Sequence, residues 1–357
     1  MEPQPRIRFP LMALGLLGLL AAMWAGLVRL GWGLPPLQAG LTIAHGPLMI
    51  SGFLGTLISL ERAVALDRRW TYAAPLFTGL GALALLMGMA GPLGPLLMTL
   101  GSLGLVAVFV VIVRRRLAPF TVTMGLGALA WFIGNTLWLT GRPVYSVVPW
   151  WAGFLVLTIV GERLDLSRLL HLSHTAQWAF LAATGLFLLG TVASIVAPDI
   201  GLRLAGVGMV ALTLWLLRYD IARRTVRQAG LTRFIAVCLL SGYVWLGVSG
   251  GLALVFGSAV AGPRYDAMLH ALFLGFVFAM IFGHAPIIFP AVLGFPMVFR
   301  PTFYAHLALL HLSLLLRVAG DLTGWWPGRQ WGGLLNVMAL LLFLANTGRA
   351  ARGPQVL

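Results

Sequence analysis

The strongest constraint on this chain is a succession of apolar runs, each about as long as a bilayer is thick. Short stretches between them hold nearly all the charge. A run of roughly 20 apolar residues is what a helix needs to cross the hydrocarbon core. Glycine, proline and arginine clusters mark the breaks. They divide the chain into twelve runs at approximately 10–31, 38–60, 72–91, 95–113, 120–140, 146–162, 175–196, 201–217, 234–257, 267–289, 302–319 and 331–347. The expected fold class is all-α: a polytopic integral membrane bundle of twelve helices, forming a single domain over 1–357. Composition agrees, with 60% hydrophobic and 9% charged residues, where a soluble domain carries about 25% charged. The first run, Leu11 to Val28, is long for a signal-peptide core and has no A-x-A site near its end, so we expect a retained helix.

All 24 basic residues are arginine, and the net charge is +15. The arginines sit in short loops, so the positive-inside rule accounts for them better than nucleic-acid binding does. The absence of lysine reads as base composition. With an even number of spans both termini share a side. Six arginines (Arg29, Arg142, Arg203, Arg264, Arg317 and Arg329) then fall on one side and the other eighteen, Arg352 among them, on the other. The termini are therefore expected in the cytoplasm. Trp32, Trp150, Trp151, Trp325 and Trp326 are expected in an aromatic belt at the outer interface. Cys238 is the single cysteine, which excludes an intrachain disulfide and a cysteine cluster. There is no G-x-S-x-G, H-E-x-x-H or Walker loop, so nothing points to a hydrolase. Two segments, "SLERAVALDRR" (59–69) and "GERLDLSR" (161–168), resemble each other at the ends of spans 2 and 6, without establishing a repeat.

A membrane helix needs no histidine to span, yet "MLHALFLGFVFAMIFGHAPIIFP" (268–290) holds two. His45 lies early in span 2 and His270 early in span 10, and both spans run from outside to inside. The two histidines are thus expected at similar depth, as two axial imidazoles of one haem iron require. Gly46, Gly52 and Gly275 are small enough to admit a neighbouring helix or a flat macrocycle. His284 lies fourteen residues beyond His270, about 21 Å along an α-helix. At about 100° per residue it returns to within roughly 40° of the same face, so it belongs to a second metal site if to any. His171, His174, His306, His311, Glu61 and Glu162 are the other donors expected near that inner end. The competing readings are structural. A lone intramembrane histidine serves equally as a helix–helix hydrogen-bond partner. His171 and His174 suit a solvated loop, and His306 and His311 suit packing. Glu61 and Glu162 each precede an arginine and suit local ion pairs.

Three blocks, "AHGPLMISGF" (44–53), "LLSGYVWLGVSGGLAL" (239–254) and "MLHALFLGFVFAM" (268–280), resemble the NnrS family of bacterial twelve-span haem- and copper-containing membrane proteins linked to nitric oxide stress. The family's span-2 motif, approximately H-A-H-E-M-L-F-G-F, places its first His on His45, its Met on Met49 and its Gly-Phe on Gly52 and Phe53. Its second His falls on Pro47 and its Glu on Leu48, a departure that removes a potential metal ligand. Its A-L-H-A-L core places a His on His270. More distantly, "GFVFAMIFGHAPIIFPAVLG" (275–294) is similar to the tenth helix of subunit I in haem–copper oxidases. The adjacent His-His pair and the His-Pro-Glu-Val-Tyr motif of those enzymes are absent. The resemblance implies a haem–copper-oxidase-like bundle in a bacterial inner membrane. It further implies haem b on His45 and His270, copper as a second metal, nitric oxide or another small gas as ligand, and a membrane or periplasmic electron donor. Redox or nitric oxide chemistry is the activity implied. Lipid is the expected surroundings and nucleic acid is not an expected partner. Two other readings compete: a secondary transporter of twelve-span type, for which "GTLISLERAVALDRR" (55–69) is a poor match, and a structural partner of a respiratory complex.

Overall fold

The computed structural model describes residues 5–35, 37–38, 40–89, 91–257, 259–294 and 296–351. Of the arginines assigned above, Arg352 lies outside them. Each of the twelve expected spans corresponds to one helix. They are α1 (Pro5–Arg29), α2 (His45–Leu66), α3 (Ala73–Leu86), α4 (Leu93–Arg115), α5 (Pro119–Leu139), α6 (Val144–Ser167), α7 (His174–Ala193), α8 (Pro198–Tyr219), α9 (Gly230–Phe256), α10 (Gly262–Leu293), α11 (Phe303–Thr323) and α12 (Trp326–Ala351). Eleven are long and apolar enough to cross a membrane; α3, with 14 residues, is the short one. The described residues contain no strand, and the chain is a multi-pass membrane protein.

The helices outrun the apolar windows where charged end turns remain helical. Span 2, expected at 38–60, is helical from His45 to Leu66, so it takes in Glu61 and Arg62 and ends where Asp67 turns left-handed at φ 50°. Span 6 likewise continues through Glu162 and Arg163 to Ser167. Breaks follow backbone chemistry. Pro119 and Pro198 begin α5 and α8, where a missing N–H costs nothing. Gly324, at φ 72°, ends α11.

Two helices are not α-helical throughout. Leu48–Gly55 in α2 and Ala271–Phe278 in α10 are π-helical, eight residues each. A π segment hydrogen-bonds i→i+5 and is usually a short bulge associated with function.

The chain forms two compact units. One comprises Met1–Phe154 with Ala291–Gly294; the other comprises Leu155–Pro290 with Phe295–Leu357. The first is packed around small residues: Ala21, Ala22 and Ala25 of α1 meet Ala44, Leu48, Ala82 and Met98. Its interior also holds a polar knot. Asn135 Oδ1 accepts from Ser51 Oγ at 3.0 Å and from Trp151 Nε1 at 2.9 Å, Asn135 Nδ2 donates to the Met98 carbonyl at 3.2 Å, and Trp131 Nε1 donates to Ser51 Oγ at 2.9 Å. Trp150 and Trp151 are buried here, not set in the expected belt; Trp325 and Trp326 are exposed. The second unit gathers aromatic rings, Phe234, Phe282, Phe303 and Phe343, around His306. In it Gly206 of α8 and Gly250 of α9 face each other, the small-residue contact by which membrane helices approach closely.

Candidate functional site

His45 opens α2, three residues before its π segment, and His270 immediately precedes the π segment of α10. These are the two π segments among the described residues, and each starts within three residues of one of the two histidines expected to ligate iron. His45 belongs to the first unit and His270 to the second.

The ring of His45 is half-buried, and its Nδ1 donates to the Ala22 carbonyl of α1 at 2.7 Å. A carbonyl only accepts, so Nδ1 carries the proton and Nε2 carries the lone pair of the neutral ring. Gly26 makes room for this ring: a Cβ there would stand 3.0 Å from His45 Cε1. His270 Nδ1 donates to its own helix, to the Asp266 carbonyl at 2.9 Å, with Asp266 Oδ1 3.4 Å away. A metal-binding imidazole commonly has its second nitrogen held by a carbonyl or carboxylate in this way, which fixes the tautomer and raises ligand basicity.

Asp266 is in turn held by two arginines. Arg317 Nε donates to Oδ2 at 2.8 Å and Arg317 Nη2 to Oδ1 at 3.0 Å, the bidentate fork of guanidinium on carboxylate. Arg329 Nη2 lies 3.5 Å from Asp266 Oδ1, and Arg329 Nε lies 3.0 Å from Asp321 Oδ1. Arg317 and Asp321 are buried. The group balances two cations against two carboxylates. Sequence reading missed it, although one signal was available: Asp266 lies one helical turn before His270.

Gly52 and Gly275, expected to admit a helix or a macrocycle, have neighbouring helices against them. A Cβ on Gly52 would meet the Ala82 side chain at 3.0 Å, and Gly275 gives way to the Trp245 ring.

His284 Nδ1 donates to the Met280 carbonyl at 2.7 Å. The expectation that it shares a face with His270, about 21 Å away, assumed α-helical geometry throughout. Eight of the intervening residues are π-helical. They advance less along the axis and turn less per residue, so neither that distance nor that alignment stands. Among the described residues no group of three or more His, Cys, Asp or Glu is placed to hold a metal ion. His171 and His174 are exposed. His311 is tied into the second unit, accepting from Trp245 Nε1 at 3.0 Å and meeting Ser241 Oγ at 2.9 Å. His306 is fully buried and meets Asn346 Nδ2 at 3.1 Å. Glu61 lies 3.7 Å from Arg62. Arg163 is paired with Asp220 at the end of α8, Nε to Oδ2 at 2.8 Å and Nη2 to Oδ1 at 3.1 Å.

Residues 8–352 match the family model described as a domain of unknown function, DUF8744. No curated protein matches the chain.

Proposed function

We propose a function, from its own residues, for a chain that belongs to the DUF8744 family of unknown function: a multi-pass inner-membrane protein that binds b-type haem, with His45 and His270 each a candidate imidazole ligand, and acts in handling nitric oxide or in protection against nitrosative stress. The observation that carries the haem is the coincidence of both π segments with these two histidines. His284 makes the same Nδ1 bond to a carbonyl but does not precede a π segment, so the tautomer alone does not select the pair. Bound haem would supply a redox-active iron whose potential follows its axial ligands and the polarity around them. The chain's own part is to hold each ring in one tautomer, with Nε2 as the donor atom. Nitric oxide rests on the likeness of the three sequence blocks to NnrS proteins. The proposal is confined to haem. Copper as a second metal rests on the resemblance alone, and Pro47 stands where the family's second His falls. Cytoplasmic termini belong to this reading through the arginine count.

The test is a dithionite-reduced minus oxidised spectrum of the purified chain, with pyridine haemochrome and metal analysis on the same sample. A sharp b-type band at near-stoichiometric haem is expected, followed by a spectral response to nitric oxide. A colourless protein from haem-replete cells would end the proposal. It would favour a second reading, a secondary carrier, for which the partly buried Asp266–Arg317–Arg329–Asp321 group is the relevant feature, since ionisable groups within membrane helices commonly mark transport paths.

A further inference from the structure

In the second unit, a cavity of about 440 Å³ opens where α8 ends and α7 begins. Arg218, Arg223, Arg224 and Arg227 line it, with His171 and Ser173 opposite on the loop into α7. Asp220 is the carboxylate of the lining, and it is already committed. Both its oxygens hold Arg163, and Oδ1 also accepts from the Ala222 backbone at 2.7 Å, which shapes the turn into the short helix Ala222–Thr225. Among the described residues none of the four lining arginines has a carboxylate partner. Arg223 is directed by a bond from Nη1 to the Arg218 carbonyl at 2.6 Å, and Arg218 lies 5.2 Å from the centre of the Tyr219 ring. Ser173 caps α7 by accepting from Ala176 N at 3.2 Å, so the partly positive end of that helix also borders the cavity.

Four cations around one concavity, with the local carboxylate neutralised from below, fit a group of concentrated negative charge and several acceptor oxygens. We propose that this cavity binds a phosphate group, presented by the headgroup of an anionic phospholipid in the adjoining leaflet. The arginine count assigns this end to the cytoplasmic side, where anionic lipid meets basic pockets between membrane helices. Orientation by charge needs only that arginines lie on that side. It does not require them to converge on a cavity, and Arg114, Arg115 and Arg116 at the end of α4 carry three positive charges outside the lining of this one.

That contrast supplies the test. The full chain in detergent is titrated with phosphatidylglycerol or phosphatidylcholine and bound lipid is counted by native mass spectrometry. The wild type is expected to retain phosphatidylglycerol preferentially. The joint variant Arg223→Gln, Arg224→Gln, Arg227→Gln is expected to lose on the order of a hundredfold in affinity, and each single variant about fivefold. The equally charged control Arg114→Gln, Arg115→Gln, Arg116→Gln is expected to stay near wild type. If the joint variant does not fold, the three single variants carry the comparison with the control. Inorganic phosphate that displaces the lipid, with the same dependence on Arg223, Arg224 and Arg227, would keep the phosphate site and assign it to a soluble source. Equal losses in both triple variants, or no preference for phosphatidylglycerol, would overturn the proposal.

Discussion

His45 and His270 occupy the same kind of place in two different settings. Each stands at the threshold of a π segment and each donates Nδ1 to a backbone carbonyl. The carbonyl at His45 belongs to another helix, α1, amid alanine and leucine. The one at His270 belongs to its own helix and comes with a carboxylate braced by two arginines. One ring is therefore oriented by close packing and the other by charge. Backbone geometry can be shared while the means of fixing a side chain differ, and the two means fail under different substitutions.

The widest separation comes from removing the rings. His45→Ala and His270→Ala are each expected to abolish haem retention, read as loss of the low-spin b-type band. A variant with full haem and an unchanged spectrum would take that residue out of the site. Next comes the charged support. Asp266→Ala leaves Arg317 buried without its carboxylate, at a cost of about 3–5 kcal/mol, read from thermal unfolding in detergent. Asp266→Asn keeps the shape and removes the charge, so in a haem-loaded protein it is expected to raise the reduction potential by making His270 a weaker donor. Equal stability of Asp266→Ala and wild type would show that the arginines find other partners. On the packed side, Gly26→Ala presses a methyl group against the His45 ring, at about 1–3 kcal/mol. It is expected to perturb the haem spectrum while leaving the Asp266 group intact. The smallest effect is that of His284→Ala: an unchanged b-type spectrum. Loss of the low-spin band in that variant would exchange the roles assigned to His270 and His284.

The helices were legible because lipid leaves a chain few options, and arginine clusters with Pro and Gly punctuate the runs plainly. Their ends were less legible because the apolar criterion stops at the first charge. Arg62 and Arg163 remain helical nonetheless, Arg163 because its charge is answered by Asp220, 57 residues away. That pairing could not be read from neighbours, since Glu162 stands adjacent in sequence. Trp150 and Trp151 misled for a similar reason. Their position suggested the interface, whereas Asn135, a lone amide in an apolar run, draws the Trp151 N–H inward. The two π segments left no trace in composition, because an i→i+5 ladder uses the same apolar residues as an i→i+4 one. The candidate site residues were chosen by type and depth alone.

The π segments also bear on how this chain tolerates insertion and deletion. A π bulge amounts to a helix with surplus length accommodated in place. Deleting one residue between Leu48 and Gly55 would remove that surplus and let the ladder relax toward α, with the helix on either side keeping its facing. Deleting one residue from the α-helical stretch Thr56–Leu66 instead turns everything after it by about 100°. The π segments are therefore the places in α2 and α10 where a one-residue deletion is absorbed rather than passed on as a rotation.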